Sequence, residues 1–151
     1  EALEGAYLAM ATSNAPVTSV IGACRVAAMT DVTGFGLARH ALNLAARCGF
    51  SGVHLTLDDI PLLAGAGELS ASGIASSLRD GNMRAVPEQH IAPDLAPEKT
   101  AILFDPQTSG GVLAAIPSTD AEPVIAALAR LEGSLAVRIG RFTSVSGLTL
   151  S

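Results

Sequence analysis

The sequence has few of the residues that nucleic-acid-binding proteins concentrate on one surface. Of its 151 residues only 3% are aromatic and none is tryptophan, and 9 basic residues stand against 14 acidic ones, for a net charge of −5. The basic residues form no run along the chain. Nucleic acid is bound by clustered Lys and Arg and by stacking rings, so we expect no nucleic-acid partner.

Long apolar runs and targeting signals are also missing. The chain is 49% hydrophobic and its mean hydropathy is +0.45, but no run reaches the roughly 20 apolar residues of a membrane helix. No basic segment precedes an apolar one in the manner of a secretory signal. The two cysteines, Cys24 and Cys48, are far apart and lack a CxxC pattern, which favours buried thiols in a reducing compartment over a disulfide or catalytic pair. We therefore expect no membrane association and a cytoplasmic location.

The beginning of the chain is typical of a piece of a longer protein. The opening "EALEGAYLAMATSN" has no initial Met and is already in helical periodicity. The length suits one domain with a single sizeable core. We predict one domain over residues 1–151, with any upstream catalytic domain absent from this chain.

Helical and strand patterns interleave without a strict βαβ repeat. Helices are predicted over 2–13, 16–23, 36–48, 64–72, 74–79 and 118–133, with Gly49 ending the third and Ser118 or Thr119 capping the last. Strands are predicted over 24–32, 51–60, 100–104, 112–116, 135–143 and 147–151, the last two joined by a Ser-Val-Ser turn. A long ordered loop occupies the rest of 61–99. This order predicts an α+β fold, a mixed β-sheet with helices packed on it.

Asp31 lies at the end of a predicted strand, directly before a Thr-Gly-Phe-Gly turn that leads into a helix. A carboxylate there could cap the helix, where backbone N–H groups and the helix dipole favour an anion. It could also hold Mg²⁺, which takes one or two carboxylates and completes its shell with water and phosphate oxygens. Gly34 and Gly36 would let the backbone approach a phosphate closely. Local chemistry alone favours the cap.

A second candidate is "DPQTSGG" at 105–111, which follows another predicted strand. Its hydroxyls and exposed N–H groups could form an anion-binding concavity. Taken alone it is more typical of a turn between two strands in which Asp105 makes an Asx-turn. The presence of two such Asp-plus-glycine loops favours a shared site.

Other polar residues show no pattern that predicts chemistry. His40, His54 and His90 share no metal-ligand spacing and are interpreted as structural or surface residues. No Ser has the flanking residues of a nucleophile elbow. The stretch "RDGNMR" at 79–84 is interpreted as a polar turn, with a ligand-facing role as the alternative.

The two loops, in this order and at this separation, resemble the selenophosphate synthetase (selenide, water dikinase) family. "TDVTGFGL" at 30–37 and "DPQTSGGVL" at 105–113 match two signature stretches of the C-terminal domain of that enzyme. The resemblance extends over essentially the whole chain. It implies the C-terminal-domain fold of the AIR synthase-related ATP-binding superfamily.

The resemblance implies an enzyme that makes selenophosphate from ATP, selenide and water, releases AMP and phosphate, and requires Mg²⁺. It makes Asp31 the carboxylate that helps to hold Mg²⁺ against the ATP phosphates. The residues that it implies for binding the ATP phosphates are Thr33, Gly34, Gly36, Gln107, Thr108, Ser109, Gly110 and Gly111.

The resemblance also implies what this chain does not supply. The reactive Cys or selenocysteine, the catalytic Lys and most metal-binding aspartates of the family lie in an N-terminal domain, so no catalytic residue is assigned here and the chain alone is expected to be inactive. The implied partners are that N-terminal domain, ATP, selenide and, for the parent protein, a second copy in a homodimer. Where the family shows "GGTxRN", this chain has "RDGNMRAV" at 79–86. That departure leaves open a non-catalytic structural or regulatory module, or another ATP-using enzyme of the superfamily, which "DPQTSGG" disfavours.

Overall fold

The computed structural model describes residues 2–86 and 89–151, which form seven α-helices and six β-strands. The helices are α1 (Ala2–Ala11), α2 (Ala15–Gly22), α3 (Gly36–Arg47), α4 (Ala66–Ala71), α5 (Arg79–Arg84), α6 (Pro97–Ala101) and α7 (Ala121–Leu128). The strands are β1 (Ala28–Asp31), β2 (Gly52–Leu55), β3 (Gln89–Ile91), β4 (Val112–Ala115), β5 (Gly140–Thr143) and β6 (Gly147–Leu150). Two short 3₁₀ helices cover Leu57–Asp59 and Ile102–Phe104.

The strands form a four-stranded mixed sheet and a separate two-stranded ladder. In the larger sheet the order is β3–β6–β2–β5, with β6 parallel to β3 and to β2, and with β5 antiparallel to β2. The ladder pairs β1 with β4 in antiparallel fashion. The predicted mixed sheet with packed helices is present, and the ladder is an addition to it.

The connection between β5 and β6 crosses over β2 at Gly52, where the backbone leaves no room for a side chain. The two strands flank β2 instead of pairing with each other. Residues 144–146 join them and pass over Gly52, where a Cβ atom would collide with the carbonyl oxygen of Val145. The predicted short turn between the last two strands is correct, but the turn does not form a hairpin.

Helix α3 is amphipathic and begins at the last glycine of the Thr-Gly-Phe-Gly turn. Leu37, Ala41 and Leu44 recur at helical spacing and are buried, as expected for one apolar face directed to the core. Gly49 has φ +81° and ends the helix as predicted. The N–H of Phe50 donates to the carbonyl of Ala45 at 3.0 Å, which completes a Schellman-type ending.

The core consists of two clusters on either side of the ladder. The larger one joins the inner face of α3 to the four-stranded sheet, with Phe104 fully buried among Leu55, Leu148 and Leu150. The smaller one packs α2 on α7 through Ile21, and also contacts the ladder. The ladder and the loops that leave it are therefore supported from both sides.

The predicted strand over 100–104 is wrong, because these residues finish α6 and form the second 3₁₀ helix. Pro97 at the first helical position starts α6. Leu103 and Phe104 are then buried as a pair. A short, fully buried apolar run has no periodicity that separates helix from strand.

Other predicted elements differ from the observed ones, most of them in their bounds. The predicted helix over 74–79 is wrong, since α5 begins only at Arg79, and the predicted long loop contains β3. Residues 87 and 88 of that loop lie outside the described residues. The N-cap position of helix α7 is Asp120 rather than Ser118 or Thr119, and its side chain makes no capping hydrogen bond. Arg25 donates from Nε to the Asp120 carboxylate at 2.8 Å, which holds the pKa of Asp120 below its ordinary value.

Candidate functional site

The antiparallel register of β1 and β4 brings the two predicted loops together. Asp31, the last residue of β1, lies opposite Val112, the first residue of β4. The chain therefore leaves β1 and enters β4 at the same end of the ladder. We call residues 32–36 the TGFG loop and residues 105–111 the DPQTSGG loop.

Backbone hydrogen bonds join the two loops directly. The N–H of Val32 donates to the carbonyl of Gly111 at 3.0 Å, and the N–H of Gly110 donates to the carbonyl of Val32 at 3.1 Å. The N–H of Gln107 donates to the carbonyl of Thr33 at 3.1 Å. The loops predicted separately from sequence thus form one connected surface.

Two of the four loop glycines are required by the packing of the backbone. Gly36 has φ +72°, and a Cβ atom there would lie 2.7 Å from the carbonyl oxygen of Leu103. A Cβ atom on Gly110 would collide with the carbonyl oxygen of Val32. At Gly34 and Gly111 an added Cβ would meet no atom within 4 Å, so the fold itself does not require glycine there.

Several backbone N–H groups at this surface remain free to bind a ligand. Five of them donate no hydrogen bond to any described residue. They belong to Gly34, Phe35, Thr108, Ser109 and Gly111. An anion such as phosphate can accept hydrogen bonds from unpaired backbone N–H groups in turns.

The Asp31 side chain is available to a cation. It is exposed and makes no hydrogen bond or ion pair with a described residue. Helix α3 has Phe35 at its N-cap and no side-chain capping bond. The interpretation of Asp31 as the cap of this helix is therefore wrong.

The ligands available in this chain fit Mg²⁺ only as part of a larger set. In the described portions, no three His, Cys, Asp or Glu side chains come together as metal ligands. Mg²⁺ needs no more than one or two carboxylates, because water and phosphate oxygens fill its other positions. Asp31 can supply one of them.

Asp105 fixes the beginning of the DPQTSGG loop rather than forming the predicted Asx-turn. Its Oδ1 accepts a hydrogen bond from the N–H of Ser76 at 2.9 Å. The N–H of Gln107, which would close an Asx-turn, is bonded to Thr33 instead. The segment before α5 is therefore attached to the second loop.

His40 contacts the TGFG loop, which the sequence did not reveal. The N–H of Thr33 donates to its Nε2 at 3.2 Å, and its ring centroid lies 5.9 Å from that of Phe35. Helical side chains point back towards the N-terminus, so the position of His40 in the second turn of α3 was the signal available in the sequence.

Two side-chain amides also bind loop carbonyls. Asn14 donates to the carbonyl of Gly110 at 2.9 Å. Asn82 donates to the carbonyls of Gly34 at 3.0 Å and Phe104 at 2.9 Å. Asn82 lies in the "RDGNMR" stretch that the sequence marked as polar, but its partners are far away in sequence and could not be predicted.

The remaining histidines and cysteines lie outside the two loops. His54 Nε2 lies 2.7 Å from Ser151 Oγ, and His90 is exposed on β3. Cys24 and Cys48 are free thiols that are half-buried, and so more exposed than the buried thiols that the sequence predicted.

The sequence matches, over residues 8–151, the family described as AIR synthase related protein, C-terminal domain. The chain belongs to this family. A selenide, water dikinase of Nitratidesulfovibrio vulgaris is 41% identical over 100 residues, which are 64% of this chain and 28% of that protein. A selenide, water dikinase of Geobacter metallireducens is 35% identical over 136 residues, 87% of this chain and 38% of that protein. The resemblance inferred from the two loops is thereby confirmed, and the chain spans about a third of the length of these relatives.

The fold is also shared with a protein of known structure. The crystal structure of E. coli HypE matches 93% of this chain and 36% of that chain with a TM-score of 0.64 at 20% identity. This likeness, together with the family membership, confirms the predicted α+β fold. Within residues 2–86 and 89–151, none of the helices has the length and apolar character needed to cross a bilayer.

Proposed function

We propose that this chain is the C-terminal domain of a selenophosphate synthetase and supplies part of its Mg–ATP phosphate site. The observation that carries the proposal is the pairing of the two loops at one end of the β1–β4 ladder. The pairing supports the proposal because Asp31, whose side chain is exposed, and the loops with the unpaired N–H groups all lie at this end of the ladder. The names of the relatives support selenide and water as the other substrates.

Each group at this surface has a separate task in the proposal. Asp31 would hold Mg²⁺ together with ligands from the rest of the protein. The free N–H groups and the hydroxyls of Thr108 and Ser109 would receive phosphate oxygens. Gly34 and Gly111 would let the phosphates approach the backbone. Magnesium, when bound, neutralises phosphate charge and orients the transferring phosphoryl group.

The remaining parts of the active site would come from outside this chain. We assign no catalytic residue to residues 1–151. In the proposal, an N-terminal domain supplies the nucleophile and the other metal ligands, and the parent protein is a cytoplasmic homodimer that uses ATP. The chain alone would be inactive or nearly so.

The test uses the full-length protein and measures selenide-dependent formation of AMP from ATP. Asp31→Asn keeps the shape of the side chain but removes its charge. We expect kcat/KM at limiting Mg²⁺ to fall at least about tenfold, equivalent to about 1.4 kcal/mol of lost transition-state stabilisation. Higher Mg²⁺ should restore part of it. Asp94→Asn, which changes an exposed aspartate outside the two loops, is the matched control and should behave as wild type.

Two results would count against the proposal in different ways. Full activity of Asp31→Asn at limiting Mg²⁺ would show that Asp31 is not a metal ligand. A wild-type protein that consumes no ATP with selenide would favour a non-catalytic module that keeps the fold, and ATP consumption with a different acceptor would favour another enzyme of the superfamily.

A further inference from the structure

A single amide group of Asn82 bonds to the TGFG loop and to the residue that directly precedes the DPQTSGG loop. Its Nδ2 atom lies 3.0 Å from the carbonyl oxygen of Gly34 and 2.9 Å from that of Phe104. An amide NH₂ has two hydrogens, so each of these two carbonyls can receive one. Gly34 belongs to the TGFG loop, and Phe104 directly precedes the DPQTSGG loop.

The helix that carries Asn82 is itself held firmly on the core. Arg39 of α3 donates from Nη1 to the carbonyl of Ala85 at 2.8 Å, at the end of α5. The Gln89 side chain donates to the carbonyl of Val86 at 2.6 Å. Val86 is buried in the larger core cluster, and Met83 packs against that cluster. Packing and hydrogen bonds therefore hold in place the helix α5 from which Asn82 projects.

The bond to Gly34 also sets the direction of a free N–H group. The peptide unit is planar and trans, so the carbonyl oxygen of Gly34 and the N–H of Phe35 point in opposite directions. Holding that oxygen on Asn82 directs the Phe35 N–H away from α5. This N–H donates to no described residue, and so remains available to an anion.

We propose that Asn82 is a positioning residue that fixes the separation of the two loops and thereby their affinity for the phosphates of Mg–ATP. The inference rests on the proposed function and adds to it a role for the segment that departs from "GGTxRN". Direct bonds between the loops run through Val32 and Thr33. Asn82 binds the TGFG loop farther along, at Gly34, and so adds a hydrogen bond that the direct contacts between the loops do not supply.

Three variants of the full-length protein vary the amide in graded steps. Asn82→Ala removes both donors, whereas Asn82→Asp places acceptor oxygens against two carbonyl acceptors. Asn82→Gln keeps the NH₂ group on a longer stem. The matched controls are Asn43→Ala and Asn43→Asp. Asn43 and Asn82 both line a surface cleft of about 270 Å³, but Asn43 makes no hydrogen bond to either loop.

Hydrogen–deuterium exchange tests the positioning itself and does not depend on any activity. The amides of Gly36, Gln107 and Gly110 close the bonds within and between the loops. We expect them to exchange about tenfold faster in Asn82→Ala, and faster still in Asn82→Asp. The Asn43 variants should match wild type. Unchanged exchange in both Asn82 variants would overturn the proposal.

Steady-state kinetics then test the consequence for the substrate. We expect KM for Mg–ATP to rise about tenfold in Asn82→Ala with a smaller change in kcat, and Asn82→Gln to recover much of the loss. A purely structural role would lower thermal stability without raising KM, and that result would overturn the proposal. A wild-type protein without selenide-dependent activity would refute the proposed function, while the exchange measurement would still decide the role of Asn82.

Discussion

Four glycines lie in the two loops, and the structure separates them into two pairs. Gly36 and Gly110 are buried, with backbone atoms occupying the space that a side chain would need, whereas Gly34 and Gly111 are exposed to open space. The first pair is explained by packing. The second pair is explained if a ligand approaches the backbone there, which the proposed phosphate site requires.

Alanine substitutions in the two pairs should therefore have different effects: one pair should lose stability and the other should lose affinity for Mg–ATP. Gly36→Ala and Gly110→Ala should lower the free energy of unfolding by about 1–3 kcal/mol or more, because of strain at positive φ or collision with backbone. Gly34→Ala and Gly111→Ala should change it by less than about 1 kcal/mol but raise KM for Mg–ATP. Urea unfolding and AMP formation measure the two effects. Normal KM in both of the exposed variants would remove the argument for ligand approach.

His54 gives a second prediction from a single residue, concerning pH. The side chain lies on β2 opposite Arg141 of β5, and burial, followed by the charge of Arg141, lowers its pKa from the ordinary value of 6.5. The unfolded chain then binds more protons than the folded one between the lowered pKa and about pH 6.5. The contribution of His54 to stability is complete above that range and is lost as the pH falls through it.

Urea unfolding at about pH 7.5 and pH 5.5 checks this contribution. The loss of stability at the lower pH should be smaller in His54→Gln than in wild type. Arg141→Gln should also reduce it, since one of the two causes of the lowered pKa is removed. Equal pH dependence in all three proteins would show that His54 does not contribute.

Among the helices and strands, the sequence correctly predicted those features that are determined by residues close together in the chain. The apolar repeat of α3 and the glycine that ends it are both local, and both are confirmed. The two loops were also recognisable, since their motifs are continuous stretches. The strand predicted over 100–104 failed because burial of Phe104 is decided by α3 and the sheet rather than by its neighbours in sequence.

Contacts between distant elements account for what sequence reasoning missed at the site. The side chain of Asn82 reaches Gly34 and Phe104 only after α5 has packed on the core. His40 reaches Thr33 because α3 follows the loop directly. The cap proposed for Asp31 fitted the local sequence, but the loop turns so that Phe35 takes that position. The motifs thus located the site, whereas its supporting residues required the structure.

For the whole molecule, the crossing of the β5–β6 connection over β2 is the feature that most depends on one residue. The four-stranded sheet can have β2 between β5 and β6 only if three residues pass over it. They do so at Gly52, where a Cβ would collide with the carbonyl oxygens of Val145 and Gly147. The C-terminal strand β6 contributes the fully buried Leu148 and Leu150 to the core, so displacing the crossing would disturb the centre of the fold.

Gly52→Ala should therefore destabilise the protein by about 3 kcal/mol or more, since the collision is with backbone that no rotamer change can relieve. Gly22→Ala is the matched control, because an added Cβ there meets no atom within 4 Å, and its free energy of unfolding should stay within about 1 kcal/mol of wild type. Urea unfolding measures both variants. A Gly52→Ala protein as stable as the control would mean that β6 does not take its place beside β2 by this route, and the order of the sheet would have to be revised.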